Sequence, residues 1–223
     1  MHLVVTKKKW HFDNFKKFNN KNFRLIKNKK NLNYKNILKL KPKLIFFPHW
    51  SHIVSNKIIS NFRCICFHET NLPYGRGGTP IQNLIIRKKK YTKISAFIMN
   101  SKIDSGDLIS MKKRNLSLKG SAQEIYERSS KIIFDMIKEI TKMKKIISFE
   151  QKGKVTKFKR LNNNGEINTK SNNLNEIFDH IRMLDAKTYD GAFIRKEKLK
   201  ITFSNVRKIK NMLSSIGIIS LND

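Results

Sequence analysis

The 223-residue chain carries 48 Lys and Arg against 16 Asp and Glu, a formal net charge of +32, and is long enough to bury a sizeable core in one main domain. No run of about 18 apolar residues is present to span a bilayer, and the N-terminal MHLVV is too short for a signal-peptide core, so a cytoplasmic protein without a membrane partner is expected. The charge would ordinarily announce nucleic acid, but the lysines are spread along the chain together with abundant Asn and Ile, and Arg is scarce; codon bias loading a solvated surface explains this pattern better.

The first seventy residues alternate apolar runs with segments of helical spacing: LVV (3–5), FDNFKKF, FRLI (23–26), YKNILKL, KLIFF (43–47), NKIISNF and CICF (64–67). This order predicts β-α-β-α-β-α-β and hence a parallel sheet, whose ligands bind beyond the carboxyl ends of the strands. Cys64 and Cys66 are the only cysteines; on a strand they share a face, which suits buried thiols rather than a bridge. A loop rich in Gly and Pro follows, and then TPIQNLIIR, with Thr79 as N-cap, Pro80 at the first helical position and Gln82 placed for a capping box. TKISAFIMN reads as a strand, SKIDSGDLISMKKRNL as a turn and a strand, and SAQEIYERSSKIIFDMIKEI as a helix with a capping box at Ser121 and Glu124 and a stripe of Ile125, Ile132, Met136 and Ile140. RLNNNGEINTKSNN is a polar linker, LNEIFDHIRMLD a helix, and GAFI and KLKITFS are strands.

Two residues stand where chemistry is expected. His68 ends the strand CICF and faces a Gly-rich loop that exposes backbone N–H donors; Asp104 sits at a turn directly after the next strand. His49, His52 and His68 have no spacing that specifies a metal site, and none is expected.

FHETNLPYGRGGTPIQNLI, followed by Asp104 in KIDSGDLI and then by LSLKGSAQEIYER, resembles the formyltransferases that use 10-formyltetrahydrofolate, including the methionyl-tRNA and sugar N-formyltransferases. The similarity runs from roughly 43 to 195 and includes HIRMLDAKTYDGAFI, which resembles the start of the acceptor-reading C-terminal part. The resemblance implies the formyltransferase fold, an α/β, Rossmann-like, mostly parallel sheet with helices on both faces and a small C-terminal α+β appendage. It implies a catalytic domain over 1–150, a linker over 151–172 and an acceptor-side subdomain over 173–223. By the same resemblance His68 and Asp104 are catalytic, and Cys66 stands where the family has an asparagine that donates to the developing oxyanion. A thiol is a weak donor, so a backbone N–H, Thr70 or Asn71 must take over, or catalysis is crippled. Pro48, His49, Trp50 and Gly106 are implied at the folate, and Thr70, Asn71, Tyr74, Arg76, Gly77, Gly78, Gln82 and Tyr189 at the loop and acceptor side.

The expected activity is formyl transfer from 10-formyltetrahydrofolate to a primary amine. Because the tail beyond about 170 looks short for tRNA, an amino sugar on a nucleotide carrier is the expected acceptor, with methionyl-tRNA the alternative and a homodimer left open. Two rivals do no chemistry: a basic α/β module that binds RNA or DNA, and a degenerate formyltransferase-like fold, for which Cys66 is the best argument.

Overall fold

The computed structural model describes residues 1–18, 20–161 and 165–221. It opens with β1 (His2–Val5), α1 (Trp10–Phe18), β2 (Phe23–Ile26), α2 (Tyr34–Leu40), β3 (Ile45–Pro48), α3 (Asn56–Asn61) and β4 (Cys64–His68), the alternation expected from the apolar runs. The strands pair in the order β2-β1-β3-β4, parallel throughout. Leu3, Val4, Val5, Ile45, Phe46 and Phe47 are completely buried, as strands covered on both faces require. One cluster gathers Leu3, Val5, Ile45, Phe47 and Cys64 against Ile37 of α2 and Ile58 of α3. Cys64 and Cys66 both touch this cluster and are free thiols, in agreement with their shared face.

The chain continues with β5 (Arg76–Gly77), α4 (Pro80–Ile86), β6 (Tyr91–Ile98), β7 (Leu108–Ile109), β8 (Arg114–Ser117), α5 (Ala122–Lys142), β9 (Ser148–Phe149) and β10 (Lys157–Phe158). β6, β7 and β9 extend the sheet beyond β4 antiparallel, and β8 pairs with β6, so the sheet is mixed. The capping box of α5 forms: the Ser121 N–H donates to Glu124 Oε2 at 2.7 Å and the Glu124 N–H to Ser121 Oγ at 3.3 Å. Its buried stripe runs through Ile125, Ile133, Met136, Ile137 and Ile140, with Ile133 fully buried in place of the expected Ile132. At α4 the expected box is absent. Thr79 is left-handed, with φ of 43°, and its side chain makes no cap bond; the Gln82 amide instead donates to Tyr126 Oη at 3.2 Å and to the Met183 carbonyl at 3.0 Å.

Last come α6 (Leu174–Leu184) and the antiparallel sheet of β11 (Ala192–Lys196), β12 (Leu199–Ile209) and β13 (Met212–Leu221). β13 is an edge strand missing from the sequence reading: its apolar residues do not alternate, and Ile216, Ile218, Ile219 and Leu221 are exposed. The stretch expected as a linker contains β10, which pairs with β5, and its residues 162–164 lie outside those described. The chain divides into two compact units, one of Met1–Gly77, Lys93–Leu116 and Glu127–Phe158, the other of Gly78–Thr92, Ser117–Tyr126 and Lys159–Asp223. Among the described residues no helix is long and apolar enough to cross a membrane.

Candidate active site

In the first unit the carboxyl ends of β3 and β4 lie next to each other in the sheet, with Pro48 in register with Phe67, the residue before His68. The His68 imidazole is nearly buried. Its Nε2–H donates to the Gly75 carbonyl at 2.7 Å, which leaves Nδ1 facing Asp104 Oδ2 at 3.6 Å. The same Oδ2 accepts the Gly77 N–H at 2.9 Å. Residues far apart in sequence, His68 and Asp104, thus meet, and the Gly-rich loop supplies backbone groups to both.

The loop bearing Asp104 is tightly held. Asp104 has a φ of 50°, in the left-handed region that favours glycine and tolerates aspartate. Gln151, which the sequence reading did not single out, donates through Nε2 to the carbonyls of Asp104 at 3.0 Å and Gly106 at 2.8 Å. Its Oε1 accepts from Arg76 Nε and an Arg76 terminal nitrogen at 3.0 and 2.8 Å, so Arg76 braces the loop through this side chain. A Cβ on Gly106 would lie 1.7 Å from the Ile98 carbonyl oxygen, so Gly106 is required here by close backbone approach.

The Cys66 thiol donates weakly to the Phe47 carbonyl at 3.5 Å and packs against Leu72, Phe97 and Leu108. Burial pushes its pKa up, with the charge of Asp104 adding to the shift, so it is a neutral thiol at ordinary pH. Thr70 is fully buried, and its hydroxyl has no hydrogen-bond partner among the described residues. Asn71 Oδ1 accepts from Lys113 Nζ at 2.8 Å. Tyr74 stands edge-on to Phe158, with ring centroids 5.4 Å apart.

Of the two aromatic side chains after β3, His49 turns into a buried polar cluster with Trp10, His11, Glu69 and Ser129. Trp50 lies against Phe47 and His52 at ring-centroid distances of 6.4 and 5.1 Å; its Nε1–H is buried without an acceptor among the described residues. Those residues hold no group of three or more His, Cys, Asp or Glu placed for a metal ion.

The remaining expected residues, Gly78, Gln82 and Tyr189, belong to the second unit. A Cβ on Gly78 would meet the Arg160 backbone at 2.8 Å. Tyr189 Oη lies 3.0 Å from Tyr126 Oη, and Gln82 and Tyr189 line a cavity of about 420 Å³ with His180, Leu161, Met183 and Leu184.

Residues 3–139 match the family described as Formyl transferase, and residues 162–218 the Methionyl-tRNA formyltransferase, C-terminal domain. A methionyl-tRNA formyltransferase from Thermodesulfovibrio yellowstonii is 28% identical over 77% of this chain and 58% of its own. The chain spans less than two thirds of the length of such curated relatives. The solved structure of a methionyl-tRNA formyltransferase from Clostridium thermocellum superposes with a TM-score of 0.93 at 40% identity over 99% of each chain. A sugar N-formyltransferase from Shewanella sp FDAARGOS_354 reaches a TM-score of 0.64 at 18% identity over 97% of this chain and 96% of its own, which shows a shared fold alone.

The amino-sugar expectation is corrected by this difference in identity. With more than half of its residues matching one family and a 40%-identical relative along its whole length, the chain belongs to the formyl transferases, a family of folate-dependent one-carbon transferases.

Proposed function

We propose that the protein transfers a formyl group from 10-formyltetrahydrofolate to the amino group of methionyl-tRNA. The observation that carries this reading is the 40% identity to a structure named for that activity, joined to the approach of His68 and Asp104 within 3.6 Å.

The residues at the sheet end fit a pterin in one respect: the Trp50 indole N–H is a buried donor with no acceptor among the described residues. When bound, the folate supplies an activated formyl carbon, so the reaction needs neither a metal nor a covalent link to the protein. Asp104, anchored by the Gly77 N–H, is placed to take the proton of the attacking amine. His68 has one nitrogen committed to the Gly75 carbonyl, so its ring is oriented before substrate arrives and its other nitrogen is directed at the reacting groups and Asp104. We assign the donor that replaces the family's asparagine to Thr70, whose buried hydroxyl has no hydrogen-bond partner among the described residues, rather than to Cys66, whose S–H is turned to the Phe47 carbonyl.

The test is to incubate the purified protein with 10-formyltetrahydrofolate and either methionyl-tRNA or nucleotide-linked amino sugars. Formyl-methionyl-tRNA that forms with wild type and is lost with His68→Ala supports the reading. Transfer to neither acceptor, or undiminished transfer by the variant, refutes it.

A further inference from the structure

Behind His68 lies a cluster of buried polar side chains that the reaction itself does not use. Trp10 Nε1–H, which can only donate, points at His49 Nδ1 at 3.0 Å. Nδ1 is therefore the acceptor nitrogen of a neutral His49, and its proton resides on Nε2, which donates to Glu69 Oε1. His11 Nε2 also lies 2.7 Å from His49 Nδ1 and must in turn be a donor, which leaves His11 Nδ1 to accept from Ser130 Oγ at 2.8 Å. Ser130 Oγ accepts from the Asn14 amide at 2.7 Å, and its alternative acceptor, the Trp10 carbonyl, is farther away at 3.2 Å. Every hydrogen bond in the line Asn14–Ser130–His11–His49–Glu69 thus runs in one direction, and Ser129 Oγ adds a second donor to Glu69 Oε1 at 3.1 Å.

We propose that Glu69, at the end of this line, is a positioning residue that fixes the carboxyl end of β4 against that of β3 and thereby sets the orientation of the adjacent His68 imidazole. The line ties α1 and α5 to both strand ends, and His49 and Glu69 are the residues immediately after β3 and within β4's exit. The charge states agree with this assignment. Burial pushes the Glu69 acid up to about 8 and pulls His49 down to about 3, and it lowers His11 well below the usual histidine value. The ionisable groups around the pair are Lys8, which disfavours a proton on either histidine, His68, which does the same for His49, and Asp104, whose charge opposes ionisation of Glu69. An anionic Glu69 would place a second carboxylate charge behind His68, in competition with Asp104.

The proposal rests on the transferase reading only for its kinetic arm. Nitrogen-15 NMR of the histidine rings in the full chain tests the line without any turnover: His11 and His49 are expected as neutral Nε2–H tautomers between pH 5 and 7, and the His68 signals are expected to shift in Glu69→Ala but not in Glu69→Gln. An imidazolium or an Nδ1–H tautomer at His49 would overturn the line, and unmoved His68 signals in Glu69→Ala would overturn the positioning role even if no acceptor is ever formylated. In turnover, Glu69→Ala should lower kcat about 10- to 100-fold with KM nearly unchanged, the size expected when a catalytic group is slightly misplaced, while Glu69→Gln restores kcat. The alkaline decline of wild-type activity near pH 8 should be missing from Glu69→Gln. Equal loss in both variants, or an effect confined to KM, would count against positioning; should Glu69→Ala not fold, Glu69→Gln and the wild-type spectra decide.

Discussion

His68 Nδ1 and Asp104 Oδ2 stand 3.6 Å apart, and each residue is held by a backbone group of the same loop, His68 by the Gly75 carbonyl and Asp104 by the Gly77 N–H. The distance is too long for a hydrogen bond, so what joins the pair is its shared anchoring to one loop.

Either partner should be indispensable to turnover and dispensable to folding. His68→Ala and Asp104→Asn are each expected to reduce kcat by about 10²- to 10⁴-fold, the range for a lost acid or base. Circular dichroism and single-turnover formylation check the two halves of the expectation together.

Thr70→Val should separate activity from stability in opposite directions. The substitution removes a buried hydroxyl with no partner among the described residues, so the melting temperature should hold or rise, whereas kcat should fall by about 10²-fold if this hydroxyl serves the oxyanion. Cys66→Asn should bring no gain, since the side chain at this position packs among Leu72, Phe97 and Leu108. A large gain with Cys66→Asn would show that the thiol is the limiting defect.

Stability should depend on pH through two buried groups. Glu69 has a folded-state pKa raised from 4.5 to about 8, so the stability tied to its neutral form is complete below about pH 4.5 and is lost as the pH rises through 8. His49, lowered from 6.5 to about 3, contributes stability above pH 6.5 that is lost as the pH falls through 3. Glu69→Gln should therefore melt like wild type at pH 4.5 and above it at pH 8.5, as read by thermal scans. A wild type whose melting temperature is flat across that range would contradict the buried acid.

Gly106→Ala is expected to cost about 3 kcal/mol or more, because the added methyl would sit 1.7 Å from the Ile98 carbonyl oxygen and cannot be relieved by a rotamer change. Urea unfolding reads the loss, and activity should fall with it since Asp104 is two residues away.

The strands and helices through β4 were legible because their apolar runs are unbroken and the helical segments between them are short. His68 and Asp104 were legible through their motif. The buried line behind them was not, since His11 sits in the basic run KKKWHFD and its partner Ser130 is 119 residues away. A signal was present nonetheless: Ser129 and Ser130 interrupt the buried stripe of α5, and buried hydroxyls on an apolar face imply polar company. Gln82 misled for a related reason, as its amide reads equally well as a local cap and as the long-range partner of Tyr126 and Met183 that it is.

The double grip of Gln151 on the carbonyls of Asp104 and Gly106 has a consequence for evolution of the acceptor. A carboxylate clamped through its own main chain is a fixed datum, unable to travel toward a differently shaped nucleophile. Drift toward new amines would have to be written into the surrounding walls, while changes at Gln151 would unsettle every acceptor alike.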